Sequence, residues 1–257
     1  MSFIRIWAVA TNGFREVMRD RIFFAIGFYA LIMLIAWRLL PEISGASQDK
    51  ILADIGPASS SLLGVVIAIF VGTGLINKEI EKRTVFVLVT KPINSAEFII
   101  GKHLGLSAVL AILVAGMTSI YLVILNLAHV NYQLGAMLLT ALFLLLELCL
   151  ITAAALLFGV FTSSLLATLL TFSLYLVGNL SESMVKLAGV TKNPGFQKFT
   201  DNLYLILPDL SRLDLKNDAV YGAIPDSQTL FLNAGYAIIY TAVLLMLTTV
   251  VFSRREF

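Results

Sequence analysis

Six stretches of the chain abandon any apolar/polar alternation and run almost wholly apolar for about the 20 residues that a helix needs to cross a bilayer. They fall at Ile22–Leu40, Ser60–Asn77, Leu104–Leu127, Leu134–Phe161, Leu165–Leu187 and Leu230–Phe252. In hydrocarbon the backbone must satisfy its own polar groups, so each stretch predicts a helix. The first 20 residues follow another pattern. Phe3, Ile4, Trp7, Phe14 and Met18 fall near one helical face, with Arg5, Asn12, Arg15, Glu16 and Arg19 largely elsewhere. That periodicity predicts an amphipathic helix lying on the membrane surface. A basic start before an apolar run also resembles a signal peptide, with Ser44-Gly45-Ala46 as a small-residue site. The run is longer than a signal core, and the segment before it is itself patterned.

The expected fold is therefore an all-α integral membrane protein, a single domain over residues 1–257. It has six transmembrane helices and an interfacial helix at 1–20. A short helix at 78–92 lies between spans 2 and 3, and an extracytoplasmic segment runs over 188–229. Composition agrees, with 59% hydrophobic and only 13% charged residues, far from soluble-domain usage. Charge then orients the spans. The start, the connection between spans 2 and 3, and the end hold eleven of the 18 basic residues and six acids, netting +5. The opposite connections hold seven basic and nine acidic residues, netting −2. Basic residues collect in cytoplasmic loops, which predicts a multi-pass protein of the plasma (inner) membrane with both termini cytoplasmic.

A net charge of +2 without a basic cluster argues against nucleic acid as a partner. Cys149 is the one cysteine, which excludes an internal disulfide and a multi-cysteine metal site. No cofactor is expected.

The connection after the second span reads KEIEKRTVFVLVTKPINSAEFIIGK over residues 78–102. It does not carry a phosphate-binding loop, because Ala96 and His103 stand where Gly and Ser/Thr are required. Thr84, Val85, Val87 and Val89 favour a strand, but a lone strand at the membrane surface leaves both edges unpaired. A helix from about Glu79 to Thr90 satisfies its own backbone and ends before Pro92. Asn94 with Glu97 three residues on predicts the cap of the next helix. Mixed charges beside the apolar row Val85 to Val89 fit either an orienting loop or a docking element for a soluble partner.

Glu79, Thr84, Val85 to Val89, Pro92, Glu97, Phe98, Gly101 and Lys102 together make this connection resemble that of ABC-2-type permeases. Leu207-Pro208-Asp209-Leu210-Ser211-Arg212-Leu213-Asp214 further resembles the branch associated with multicopper-enzyme maturation. The resemblance implies a permease subunit, not an enzyme, of an ATP-binding cassette transporter, most simply an exporter working by alternating access. It implies that 78–92 is a coupling helix docking on separate cytosolic ATPase subunits, two per complex, through Glu79, Glu81, Arg83, Thr84 and Pro92. The N-terminal helix would be the connecting helix, and a second permease copy would complete the complex. Unlike exporters of this class with a fused ATPase, this chain would take its motor from another polypeptide.

Inside the membrane, small residues at four-residue spacing mark close helix contacts. Ser60, Gly64, Ala68 and Gly72 form one such row, and Ser107, Ala111, Ala115 and Ser119 another. In the fifth span Thr168, Thr171, Tyr175, Asn179 and Ser183 share a face. They are read either as hydrogen-bonding glue or, as the resemblance implies for the second and fifth spans, as the substrate pathway. Glu147 lies deep in a span, where an acid costs about 2.5–3.5 kcal/mol, which makes it a candidate pathway residue beside the plainer interhelical hydrogen bond. The segment 188–229, with Asn193-Pro194-Gly195 as a turn, is read as a lid or as a dock for an extracytoplasmic partner.

His103 and His129 are expected at interfaces or in solvent. An intramembrane enzyme lacks a zinc motif. The alternatives that stay open are a secondary, ion-coupled transporter, which would show internal repeats or paired broken helices, and a non-transporting membrane scaffold.

Overall fold

The computed structural model describes residues 2–19, 22–44, 48–81, 94–191 and 194–254. Among them the regular structure is helical throughout: α1 (Phe3–Arg19), α2 (Ile22–Ser44), α3 (Gln48–Glu81), α4 (Ser95–Leu127), α5 (Leu134–Phe161), α6 (Ser164–Thr191), α7 (Pro194–Ile206), a 3-10 turn (Leu210–Leu213), α8 (Lys216–Tyr221) and α9 (Ser227–Arg254). Six of these, α2 to α6 and α9, are long and apolar enough to span a membrane.

Helix α5 is apolar on all sides and occupies the centre, packed by α3, α4, α6 and α9. Its residues Leu148, Leu150, Ile151 and Ala153 to Leu156 are completely buried, as expected of a helix without a polar face. At the periphery α2 turns Phe23, Phe24, Phe28 and Leu31 outward; in a bilayer those side chains meet lipid. Of the two small-residue rows, the first packs within the chain. A Cβ added at Gly64 would lie 2.9 Å from Leu148, and one at Gly72 would lie 2.8 Å from Ala155, so α3 and α5 touch through these notches. The second row turns outward at its far end, with Ala115 and Ser119 exposed.

Helix α3 departs from the expected second span. It begins at Gln48, 12 residues before Ser60, and contains Pro57. Asp49, Lys50 and Asp54 lower the local hydropathy, which hid this part from an apolar-run reading. Proline has no N–H, so the carbonyl four residues back loses its helical donor. That carbonyl is Ala53 O, and the buried Tyr121 hydroxyl from α4 donates to it at 2.8 Å. Tyr29 from α2 likewise donates to Gly56 O at 3.2 Å. Gly56 leaves room for the Tyr121 ring, which an added Cβ would strike at 2.2 Å. Two tyrosines thus keep a proline-bearing helix hydrogen-bonded in a buried setting.

Helix α4 starts where the sequence predicts, with Glu97 accepting from the Asn94 N–H at 3.3 Å. The same carboxylate accepts from the Ser2 backbone N–H at 2.7 Å and faces Arg5 at 3.8 Å. It therefore joins the beginnings of α1 and α4. Further along, Lys102, only 1% exposed, donates to Glu16 at 3.4 Å. Gly101 and Gly105 admit the α1 backbone: an added Cβ would come within 3.0 Å of Ile6 O and 2.6 Å of Ala10 O.

Helix α1 thus buries Ala10, Gly13 and Val17, packs Phe14 and Met18 on the core, and leaves Phe3, Ile4 and Trp7 exposed. The five residues expected on one membrane-facing side divide between two jobs. His103 also departs from expectation. It is buried on α4, with Nδ1 unpaired and Nε2 3.5 Å from Ser107 Oγ.

Candidate functional site

Glu147 sits halfway along the apolar helix α5 and is 2% exposed. It lines a cavity of about 30 Å³ between α2, α3, α4 and α5, with a mixed lining that includes Ser61, Thr140 and Asp214 and room for about two waters. Asn179 on α6 donates to Glu147 Oε1 at 3.4 Å. The roof of the cavity is the segment from Leu213 to Lys216, which enters between the spans. Lys216 Nζ reaches inward, 3.2 Å from Ser61 Oγ on α3 and 3.1 Å from Asp214 Oδ2. Burial opposes the Lys216 ammonium, but the Asp214 and Glu147 carboxylates outweigh it and hold its pKa above the ordinary lysine value. Tyr175 on α6 lies within electrostatic reach of Glu147, Lys216 and Asp214.

The roof is held by a second polar cluster. Asp209, buried, accepts from Ser181 Oγ at 3.2 Å and Ser211 Oγ at 2.5 Å on one oxygen. On the other it accepts from Tyr204 at 3.1 Å and Arg212 Nε at 2.9 Å. Burial alone raises an aspartate's pKa; here the four donors, Ser211 and Arg212 foremost, outweigh it and hold the Asp209 carboxyl below its usual value. Arg212 also stacks over the Tyr236 ring of α9 at 5.2 Å, and the Tyr236 hydroxyl accepts from the Asp209 N–H at 2.8 Å. On α6, Gly178 lets the segment close in, since an added Cβ would stand 2.8 Å from Pro208 O. The string from Leu207 to Asp214 is therefore a compact plug stapled to α6, α7 and α9.

The structure brings together Glu147, Tyr175 and Asn179 of the predicted pathway residues. It places Thr168 and Thr171 elsewhere. Thr168 meets Thr73 of α3 hydroxyl to hydroxyl at 3.0 Å, and Thr171, fully buried, donates to Ala167 O of its own helix at 2.7 Å. Glu79 and Glu81 lie in the last turn of α3, their side chains outside the described residues, as are Arg83, Thr84 and Pro92 altogether.

Sequence reasoning did not find Ser61, Asp214 and Lys216 as neighbours of Glu147. The one signal was Lys216 itself, a cation just after a string singled out for its resemblance.

A family model described as ABC-2 family transporter protein matches residues 7–257. Comparison with curated proteins gives no match.

Proposed function

The chain belongs to the ABC-2 family of transporter proteins, and on that premise we propose that it is the pathway-forming permease of an ATP-driven exporter whose ATPase subunits are separate polypeptides. Two cytosolic ATPases dock on 78–92, and a second permease copy completes the assembly. Both termini are cytoplasmic, the membrane is the plasma (inner) membrane, and 188–229 faces the other side. Within the single domain over 1–257, residues 1–20 form the interfacial helix.

The observation that carries the pathway reading is the position of Glu147. A carboxylate is costly at that depth unless it is paired or faces water, and this one faces a small cavity with room for water, roofed by the segment from Leu213 to Lys216. Glu147, Tyr175 and Asn179 meet the substrate in this reading, and Thr168 and Thr171 join them when α6 shifts away from α3. Coupling is supported by the way α1 is fastened. The segment 78–92 leads directly into the start of α4, where Glu97 and Lys102 bind α1, so a push there moves both helices together. Glu79, Glu81, Arg83, Thr84 and Pro92 are the residues through which that push arrives.

Cysteines placed at Thr171 and Asn179 in a Cys149→Ala background test the pathway without knowledge of the substrate. Their labelling by a membrane-impermeant thiol reagent is expected to change when ATP is supplied to the complex with its ATPase; labelling unaffected by ATP removes the pathway assignment. Replacing Glu79, Glu81 and Arg83 together by Ala is expected to uncouple ATP hydrolysis from that change. Unaltered coupling removes the docking role of the segment.

A further inference from the structure

Lys216 is the one cation among the residues lining the Glu147 cavity, and it faces two carboxylates, Glu147 and Asp214. Its side chain is only 25% exposed and is held by Ser61 and Asp214 at 3.2 and 3.1 Å. An ammonium has three donors; here a hydroxyl and one acid contact it directly, and the second acid, Glu147, lines the same cavity beyond direct ion-pair distance. Glu147 is by contrast under-used. A carboxylate can accept about four hydrogen bonds, yet among the described residues the one it accepts is the long bond from Asn179, while it lies 98% buried against the cavity.

The segment leading to the lysine is fastened in part by side-chain hydrogen bonds converging on Asp209, bonds that water can replace. From this arrangement we infer that the cavity is a recognition site for a primary ammonium group, filled in this conformation by the loop's own Lys216. The transported substrate is then a small organic amine whose cationic head takes the place of Lys216 when the loop lifts. This rests on the reading of the cavity as part of the pathway. It also explains why a lysine from outside the spans reaches into the cavity that the intramembrane Glu147 lines. Glu147 and Asp214 bind the head, Ser61 and Tyr175 orient it, and Lys216 competes with it, so amine arrival and loop opening are one event.

The test removes the competitor and supplies a free primary ammonium in its place. Full-length protein in lipid nanodiscs is melted by tryptophan fluorescence with n-butylammonium, n-butanol or sodium ion at constant ionic strength. For Lys216→Ala, n-butylammonium is expected to raise the melting temperature in a saturable way, while n-butanol and sodium do not. In Glu147→Gln/Lys216→Ala the half-saturating concentration is expected to rise roughly tenfold or more, as when one partner of a buried charge pair is removed. No saturable shift in Lys216→Ala, an equal shift with sodium or n-butanol, or indifference to Glu147→Gln overturns the inference. If Lys216→Ala does not fold, Lys216→Met with methylammonium provides the same comparison, because Met restores the volume of the stem and leaves only the head to be supplied. ATP-dependent labelling at Asn179 without amine binding retains the pathway and removes the amine; loss of the labelling change removes the pathway itself.

Discussion

Two surface segments close the helical bundle from opposite ends, and they are fastened by different means. Helix α1 lies across the beginning of α4 with its backbone pressed into Gly101 and Gly105. The plug from Leu207 to Asp214 lies against the middle of α6 at Gly178, anchored by the buried Leu210 and Leu213, and its polar hold centres on one carboxylate, Asp209, on which four side chains converge. Close backbone packing resists displacement because every atom along the seam contributes a little dispersion energy and none can re-pair elsewhere. Hydrogen bonds to a single acid are strong together, yet they can be traded for water once the first is lost. The α1 seam is thus fixed mainly by backbone contact along its length, and the plug largely by polar groups gathered at one acid.

The largest expected effect attacks the plug. Asp209→Ala leaves Arg212, Tyr204, Ser181 and Ser211 without their shared acceptor and should destabilise by about 3 kcal/mol, the low end for a broken buried pair because Arg212 is partly exposed. Thermal unfolding measures the loss. Hydrogen exchange should rise over 194–221 while α1 stays protected; equal loosening of both ends would mean that the two segments are fastened alike.

At the other end, Gly105→Val forces a side chain against the Ala10 carbonyl and should cost about 2 kcal/mol, within the range for overpacking. Here α1, and not 194–221, should become open to protease.

A milder form of the first effect comes from pH. The Asp209 pKa is depressed in the folded protein. Its contribution is therefore complete above the unfolded value, about 3.9, and is lost as pH falls through the lower folded value. Wild type should lose thermal stability in that acid window, and Asp209→Asn should show a shallower loss. The smallest effect is expected for Tyr121→Phe, which deprives Ala53 O of its donor and should cost about 1 kcal/mol by thermal unfolding.

The spans were legible because apolar length is a direct consequence of bilayer thickness, and the start of α4 was legible because Asn94 and Glu97 carry their own local signal. The first 12 residues of α3 were not, since Asp49, Lys50, Asp54 and Pro57 argue against a span one residue at a time and only tyrosines from other helices make the segment viable. Of the candidate site, Glu147 was visible as an acid in an apolar run, and its link to Asn179 lies at a spacing no single-helix pattern encodes. Lys216 was out of reach for a related reason: it belongs by composition to the polar loop, and only the plug's path between the spans brings it inward. His103 was read from its place at the end of a span, which does not reveal that neighbouring helices bury it.

The bond from Tyr121 to Ala53 has a mechanical consequence. It pegs α3 and α4, the two arms that flank residues 78–92, at one height near the end remote from that segment. As long as that bond is kept, the far ends of the arms move by swinging about it and not by sliding like pistons, as the blades of scissors do. A thrust delivered at 78–92 would therefore spread or close the arms at the near end while the pinned end stays in register.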